Sequence, residues 1–87
     1  MTTKAYRGRY QIIAEILNVI NESNTKGVIR TSIMYKAFLS YAQLKEYLSF
    51  LLEKGLIEEI PQQIRAHGNE KLVTKITEKG LRLLQIS

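Results

Sequence analysis

Cysteine and aspartate are absent from this 87-residue chain, and histidine and proline occur once each, as His67 and Pro61. Without cysteine there are no disulfides, and any Cys/His zinc site is excluded. That composition fits an intracellular protein. A lone histidine with no aspartate or thiol leaves no obvious pair for nucleophilic catalysis. Glu58 and Glu59 are neighbours on an extended run, so they point to opposite faces and do not form a paired-carboxylate site. No apolar run approaches the roughly 20 residues of a membrane-spanning helix. The opening MTTKAYRGRY has no apolar signal-peptide core behind it. Internal repeats and low-complexity segments are also missing. The expectation is a non-enzymatic chain with no metal, no cofactor, no membrane contact and no evident small-molecule effector.

What is present is a basic surplus, and its placement is uneven. The net charge is +5. Residues 1–45 carry seven basic groups (Lys4, Arg7, Arg9, Lys26, Arg30, Lys36, Lys45) against Glu15 and Glu22, whereas residues 46–87 carry six of each sign. The whole surplus lies in the first half. A basic surface attracts phosphates and supplies sequence-independent affinity for nucleic acid. Charge alone does not separate that from an ordinary solvated surface. With 45% apolar residues the chain can bury a small core as one domain spanning 1–87, and oligomerisation would add to its stability.

The organising stretch is RTSIMYKAFLSYAQLKEYLSFLLEKG, residues 30–55. It reads as two short helices around a tight turn at Leu39-Ser40. Thr31 is the expected N-cap of the first helix. Ser40 is the expected N-cap of the second, with Gln43 at capping-box spacing. The second helix carries Leu44, Leu48, Leu51 and Leu52 as an apolar stripe, and Gly55 stops it. This is a helix-turn-helix pattern, which tips the basic surface towards DNA.

Around that pair, residues 1–8 read as a flexible basic arm, with Lys4, Arg7 and Arg9 able to reach a phosphate or a minor groove or simply fray into solvent. A first helix runs from about Tyr6 or Arg9 to Asn21. Tyr10, Ile13, Leu17 and Ile20 form one stripe, and Ile12, Ile16 and Val19 a second beside it. Either this helix is covered on two sides, or part of the second stripe is a dimer interface. Residues 27–30 suggest a very short strand. After Gly55, Leu56–Ile60 and Lys71–Ile76 read as antiparallel strands. Pro61 belongs on an edge, and Ala66-His67-Gly68-Asn69 is the expected turn, with Gly68-Asn69 able to take positive φ. In the second strand Leu72, Thr74 and Ile76 share one side, and Lys71, Val73 and Lys75 the other. Thr77 caps a short last helix with Leu81, Leu83 and Leu84 on its apolar side. The fold class is therefore α+β, mainly helical, a winged helix-turn-helix with a two-stranded wing and a short C-terminal helix.

The residues themselves carry a closer likeness. IMYKAFLSYAQLKEYLSFLLEKGLIEE followed by ITEKGLRLL resembles small archaeal winged-helix DNA-binding proteins, a family of predicted transcriptional regulators and ten-kilodalton chromatin-associated proteins. The family pattern falls on Met34-Tyr35, Leu39-Ser40-Tyr41, Gln43-Leu44-Lys45, Tyr47-Leu48, Gly55-Leu56-Ile57 and Thr77–Gly80. The resemblance runs from about Tyr10 to Leu84. It implies binding of double-stranded DNA through the third helix and the wing, commonly as a homodimer, in a cytoplasmic protein associated with the nucleoid. Chromatin-type members dimerise through a long C-terminal helix that is missing here, so a dimer is expected to use the first helix, the last helix, or both. The long segment from Ile57 to Lys71 suggests an extended wing.

Candidate DNA contacts follow from position and side-chain chemistry. In the usual docking the N-terminal half of the recognition helix enters the major groove. Gln43 suits adenine, Lys45 suits guanine or a phosphate, and Glu46 suits cytosine N4 or else repels the duplex. Tyr41 offers its hydroxyl to a phosphate, and Ala42 and Ser49 lie on the same outer face. Arg30, Thr31, Ser32 and Lys36 are the phosphate candidates on the preceding helix. Arg65, His67, Asn69 and Lys71 are those of the wing. Tyr35, Tyr41 and Tyr47 are expected to pack with their hydroxyls at the surface, and Phe38 and Phe50 to be core or interface residues. The alternative function is a winged-helix protein-docking module that does not bind DNA, using Glu46, Phe50 and Glu53.

Overall fold

A computed structural model describes residues 7–23, 26–64 and 69–86. The elements are α1 (Arg9–Glu22), α2 (Arg30–Lys36), α3 (Tyr41–Glu53), β1 (Ile57–Ile64), β2 (Asn69–Ile76) and α4 (Glu78–Ile86). Helix α1 is the centre of the core. Ile12, Ile13, Ile16, Leu17, Val19 and Ile20 are all buried. Both of its apolar stripes are therefore satisfied within the chain, and the second is packing rather than a dimer face. Tyr10 departs from its expected stripe and is 88% exposed. Ile33, Ala37 and Leu39 from the α2 side, Leu44, Leu48 and Leu51 from α3, and Leu56, Ile57 and Ile76 from the hairpin base complete the cluster. Each such aliphatic side chain, once fully buried, contributes about 1.5–3 kcal/mol of transfer free energy.

The strands run beyond the expected Leu56–Ile60 and Lys71–Ile76, which gives the extended wing that the long intervening segment suggested. β1 and β2 pair antiparallel from Ile57↔Ile76 to Ile64↔Asn69. The strand continues through Pro61 instead of stopping there. The reason lies in the neighbouring bridge. Val28 and Thr74 exchange both backbone hydrogen bonds, at 3.0 and 2.7 Å. Thr74 thus spends its N–H and C=O away from β1, which makes Glu59↔Thr74 a non-hydrogen-bonded pair. Two residues along, Pro61↔Leu72 has the same character, so the missing proline N–H faces the open edge. The short strand expected at residues 27–30 is reduced to this one Val28 bridge. Asn69 lies in β2 and not in the turn, and the turn residues 65–68, including Arg65 and His67, lie outside the described residues.

The expected alternation along β2 also fails in part. Val73 is buried at 4% exposure while Leu72 is 51% exposed. Gly27 explains the first: a Cβ there would sit 2.8 Å from Val73, so the loop before α2 lies directly on that side of the strand. The base of the hairpin is thus covered on both faces.

The last junction is the tightest. Thr77 caps α4, its Oγ1 accepting from Gly80 N–H at 3.1 Å and its hydroxyl donating to Gly55 C=O at 2.6 Å. Thr77 N–H donates to Leu56 C=O at 3.1 Å. A Cβ at Gly80 would lie 2.2 Å from that same Leu56 oxygen and 2.8 Å from Ile76 Cγ1. Glycine is thus required because a backbone carbonyl occupies the space. Gly80→Ala is expected to lower stability by about 1–3 kcal/mol, the range of overpacking a closed site. Urea unfolding checks this; an unchanged midpoint would contradict the close approach.

Candidate nucleic-acid interface

Helix α2 ends by a rule that α3 repeats. At the end of α2, Phe38 N–H donates to Tyr35 C=O and Leu39 N–H to Met34 C=O, at 3.3 and 2.9 Å. At the end of α3, Gly55 N–H donates to Leu52 C=O and Leu56 N–H to Leu51 C=O, at 3.1 and 2.9 Å. Both are Schellman closures, which need one left-handed residue. Gly55 supplies it after α3 with φ +74°, and Phe38 supplies it after α2 with φ +56°. The turn then passes through buried Leu39, whose packing sets the angle between the helices.

Ser40 is the N-cap of α3. Its side chain accepts from Gln43 N–H at 3.1 Å, and Gln43 Oε1 accepts from Ser40 N–H at 3.0 Å, a complete capping box. The anticipated cap on α2 is different. That helix begins at Arg30, with Ile29 as N-cap and no side-chain bond, so Thr31 is inside the first turn. Ile29 is held by the Val28 bridge before it, and extended backbone there starts the helix two residues early.

Along α3, Leu44, Leu48 and Leu51 face the core. Tyr41, Ala42, Gln43, Lys45, Glu46 and Ser49 are all exposed. Lys45 forms no ion pair with a described residue. Gln43 is exposed but not free, since its carbonyl oxygen closes the capping box. A bidentate adenine contact needs that same oxygen as acceptor, so it competes with the cap unless the second lone pair is used.

Arg30 is also engaged. Its Nε donates to Glu59 Oε2 at 2.7 Å and its Nη2 to Glu59 Oε1 at 3.0 Å, a bidentate pair between α2 and β1. The hydrogen bond to Glu59 raises the guanidinium pKa above its ordinary value, against a smaller opposing effect of partial burial. The Nη1 edge is left over for an outside acceptor. Ser32 and Lys36 of α2, Lys26 of the preceding loop, and Gln62 and Lys71 of the hairpin line one open crevice of about 360 Å³. None of the lysines there is ion-paired to a described residue. Lys26 and Gln62 were not among the candidates read from sequence. Strand register brings Gln62 opposite Lys71, but nothing in the sequence shows that residue 26 lies against β2.

Other expected contacts point elsewhere. Arg7 is not an arm residue. Its Nη1 is paired with Glu15 of α1 and donates to Ala37 C=O at 2.8 Å, and its Nη2 donates to Phe38 C=O at 3.0 Å. It locks the helix-turn-helix turn onto α1. Arg9 lies 5.2 Å from the Phe50 ring centroid and 5.9 Å from that of Tyr47, with Lys54 5.7 Å from Phe50 on its own account. Lys4 lies outside the described residues. The aromatic residues divide unexpectedly. Tyr47 and Phe50 pack against the core, while Tyr35, Phe38 and Tyr41 are 69%, 81% and 66% exposed. Phe38 is thus neither core nor covered in the monomer, and residue type gave no signal of it.

A winged helix-turn-helix family model matches residues 6–87. The chain belongs to that family. An uncharacterized protein of Methanocaldococcus jannaschii is 36% identical over 53 residues, covering 61% of this chain and 52% of the relative. Among solved structures, the PcaV transcriptional regulator of Streptomyces coelicolor, in complex with its natural ligand, has a TM-score of 0.66 at 19% identity, over 84% of this chain and 48% of that one. A variant of ZitR from Lactococcus lactis gives 0.67 at 18%, over 95% and 54%. The winged helix thus spans about half the length of these relatives.

The capping box separates two roles for Gln43. Gln43→Ala is expected to cost about 1 kcal/mol in stability, whereas Gln43→Glu, which can also close a capping box, keeps most of it. Thermal unfolding of the two variants is the check. Equal stability of Gln43→Ala and wild type would show that the side chain does not cap α3.

Proposed function

We propose that this winged helix is a DNA-binding transcriptional regulator of archaeal type. It inserts the start of α3 into the major groove and lays the wing on the backbone or in the minor groove. The observation that carries the reading is a set of exposed lysines on the helix-turn-helix and the wing, three of them gathered in one crevice. Lys45 on the exposed side of α3, and Lys36, Lys26 and Lys71 around the α2–wing crevice, have no ion pair with a described residue. Lysines left without carboxylates beside a helix-turn-helix are what a phosphate backbone needs. Ser32 adds a donor to that crevice, and the free edge of Arg30 at the start of α2 adds another. Tyr41, Ala42, Glu46 and Ser49 are then the groove-facing residues, and Asn69 lies further out on the wing. The docking alternative is less well supported, because Phe50, its apolar centre, is half-buried under Arg9 and Lys54.

The reading includes a homodimer and a cytoplasmic, nucleoid-associated location. An apolar cleft between α1 and α4, lined by Tyr10, Ile13, Ala14, Leu17, Leu83 and Leu84, supports a contact using both helices. Leu83 and Ile86, 38% and 82% exposed, extend that apolar side. Among the described residues no helix is long and apolar enough to cross a membrane. We propose that residues 1–87 act as one domain.

Fluorescence anisotropy with mixed-sequence duplex DNA at two salt concentrations tests the proposal. Affinity is expected to fall steeply with salt, and Lys45→Ala to weaken binding and reduce the slope of log K against log salt by about 1. Absence of binding at low salt would overturn the reading.

A further inference from the structure

The exposed aromatic at the helix-turn-helix turn has no structural use that explains it. Phe38 is the one non-glycine residue with positive φ among the described residues. The equivalent position after α3 is Gly55, so the chain meets the same backbone demand once with glycine and once with phenylalanine. A bulky residue in left-handed backbone is strained. The strain is not offset by burial, since the ring is 81% exposed. Leu39, the next residue, does the packing. The backbone around Phe38 is nevertheless held firmly, because Arg7 binds the carbonyls of Ala37 and Phe38 while paired with Glu15. The turn is anchored to α1, and Phe38 stands exposed three residues before α3 begins, on an open crevice it shares with Lys36, Arg7 and the α1 residues Glu15, Asn18 and Val19.

We propose that Phe38 is a specificity-determining contact, which reads thymine through its 5-methyl group at the edge of the major groove. The inference rests on the DNA reading above. A phenyl ring has no donor or acceptor, so what it can distinguish is an apolar group. In the major groove that group is the thymine methyl. It comes three residues before the start of α3, the part of the chain proposed to face bases, and it shares a crevice with Lys36, a proposed phosphate contact. Cationic groups nearby supply affinity without sequence preference, and this contact adds discrimination without charge.

The test uses an A·T-rich duplex and the same duplex with every dT replaced by dU, which removes only the methyl groups. Wild type is expected to prefer the dT duplex by about three- to fivefold, the scale of one buried methyl group. Phe38→Gly is expected to lose that preference, with the salt slope unchanged because no counterion contact is lost. Its thermal midpoint is expected to equal or exceed that of wild type, because glycine relieves the left-handed strain. Phe38→Asn, which also tolerates this backbone, should bind like Phe38→Gly. The proposal is overturned if Phe38→Gly keeps the wild-type dT/dU ratio. It is also overturned if wild type shows no preference. Lys45→Ala run in parallel separates the two levels. Weakening by Lys45→Ala with an unaffected Phe38→Gly retains DNA binding and removes the thymine contact. No binding by wild type removes both.

Discussion

Helix α1 carries two adjoining apolar stripes, and both must leave water. One neighbour cannot cover them. The helix-turn-helix pair closes on one side, and the hairpin base with α4 closes on the other. A chain of this length has little else to bury, so the arrangement leaves few choices for the remaining elements. The wing base must approach closely enough to seal the core, and this is why Gly80 meets a carbonyl and Gly27 meets Val73. Those contacts are consequences of satisfying α1.

The same constraint shapes the candidate interface. Once Leu44, Leu48 and Leu51 face the core, the rest of α3 is set relative to solvent. The capping box and the two Schellman closures then fix where the helix starts and stops. Polar groups that hold this frame are withdrawn from other duties. Arg7 clamps the turn, Arg9 covers aromatic rings and Gln43 caps. The cations left without partners gather on the side of α3, α2 and the wing. Stability and recognition thus draw on separate residues, with Arg30 standing between them because one edge of its guanidinium is bound and the other is open.

Much of the frame was legible in the sequence. The stripe of α3, its capping box, the Gly55 stop and the Thr77 cap all depend on spacing within one element, and spacing is what a sequence displays. The winged-helix order followed from them. What was not legible depends on contacts between distant segments. Arg30 looks like a phosphate ligand until Glu59 is placed opposite it. Lys26 is an ordinary loop lysine until Gly27 packs on Val73. Thr31 is a better cap by type than Ile29, yet the Val28 bridge begins the helix earlier. Leu72 and Val73 exchanged their expected exposure because the hairpin base is covered on both faces. Phe38 was misread for another reason: its left-handed backbone belongs to a closure normally signalled by glycine.

The central claim is that the start of α3, with α2 and the wing, is the face that meets duplex DNA. Amide chemical-shift mapping during titration with a mixed-sequence duplex addresses it most directly, because every residue reports at once. The account predicts shifts concentrated at residues 30–49 and 69–71, with the α1–α4 cleft little changed. Shifts centred on Tyr10, Leu83 and Ile86, with Tyr41 to Ser49 unmoved, would contradict it.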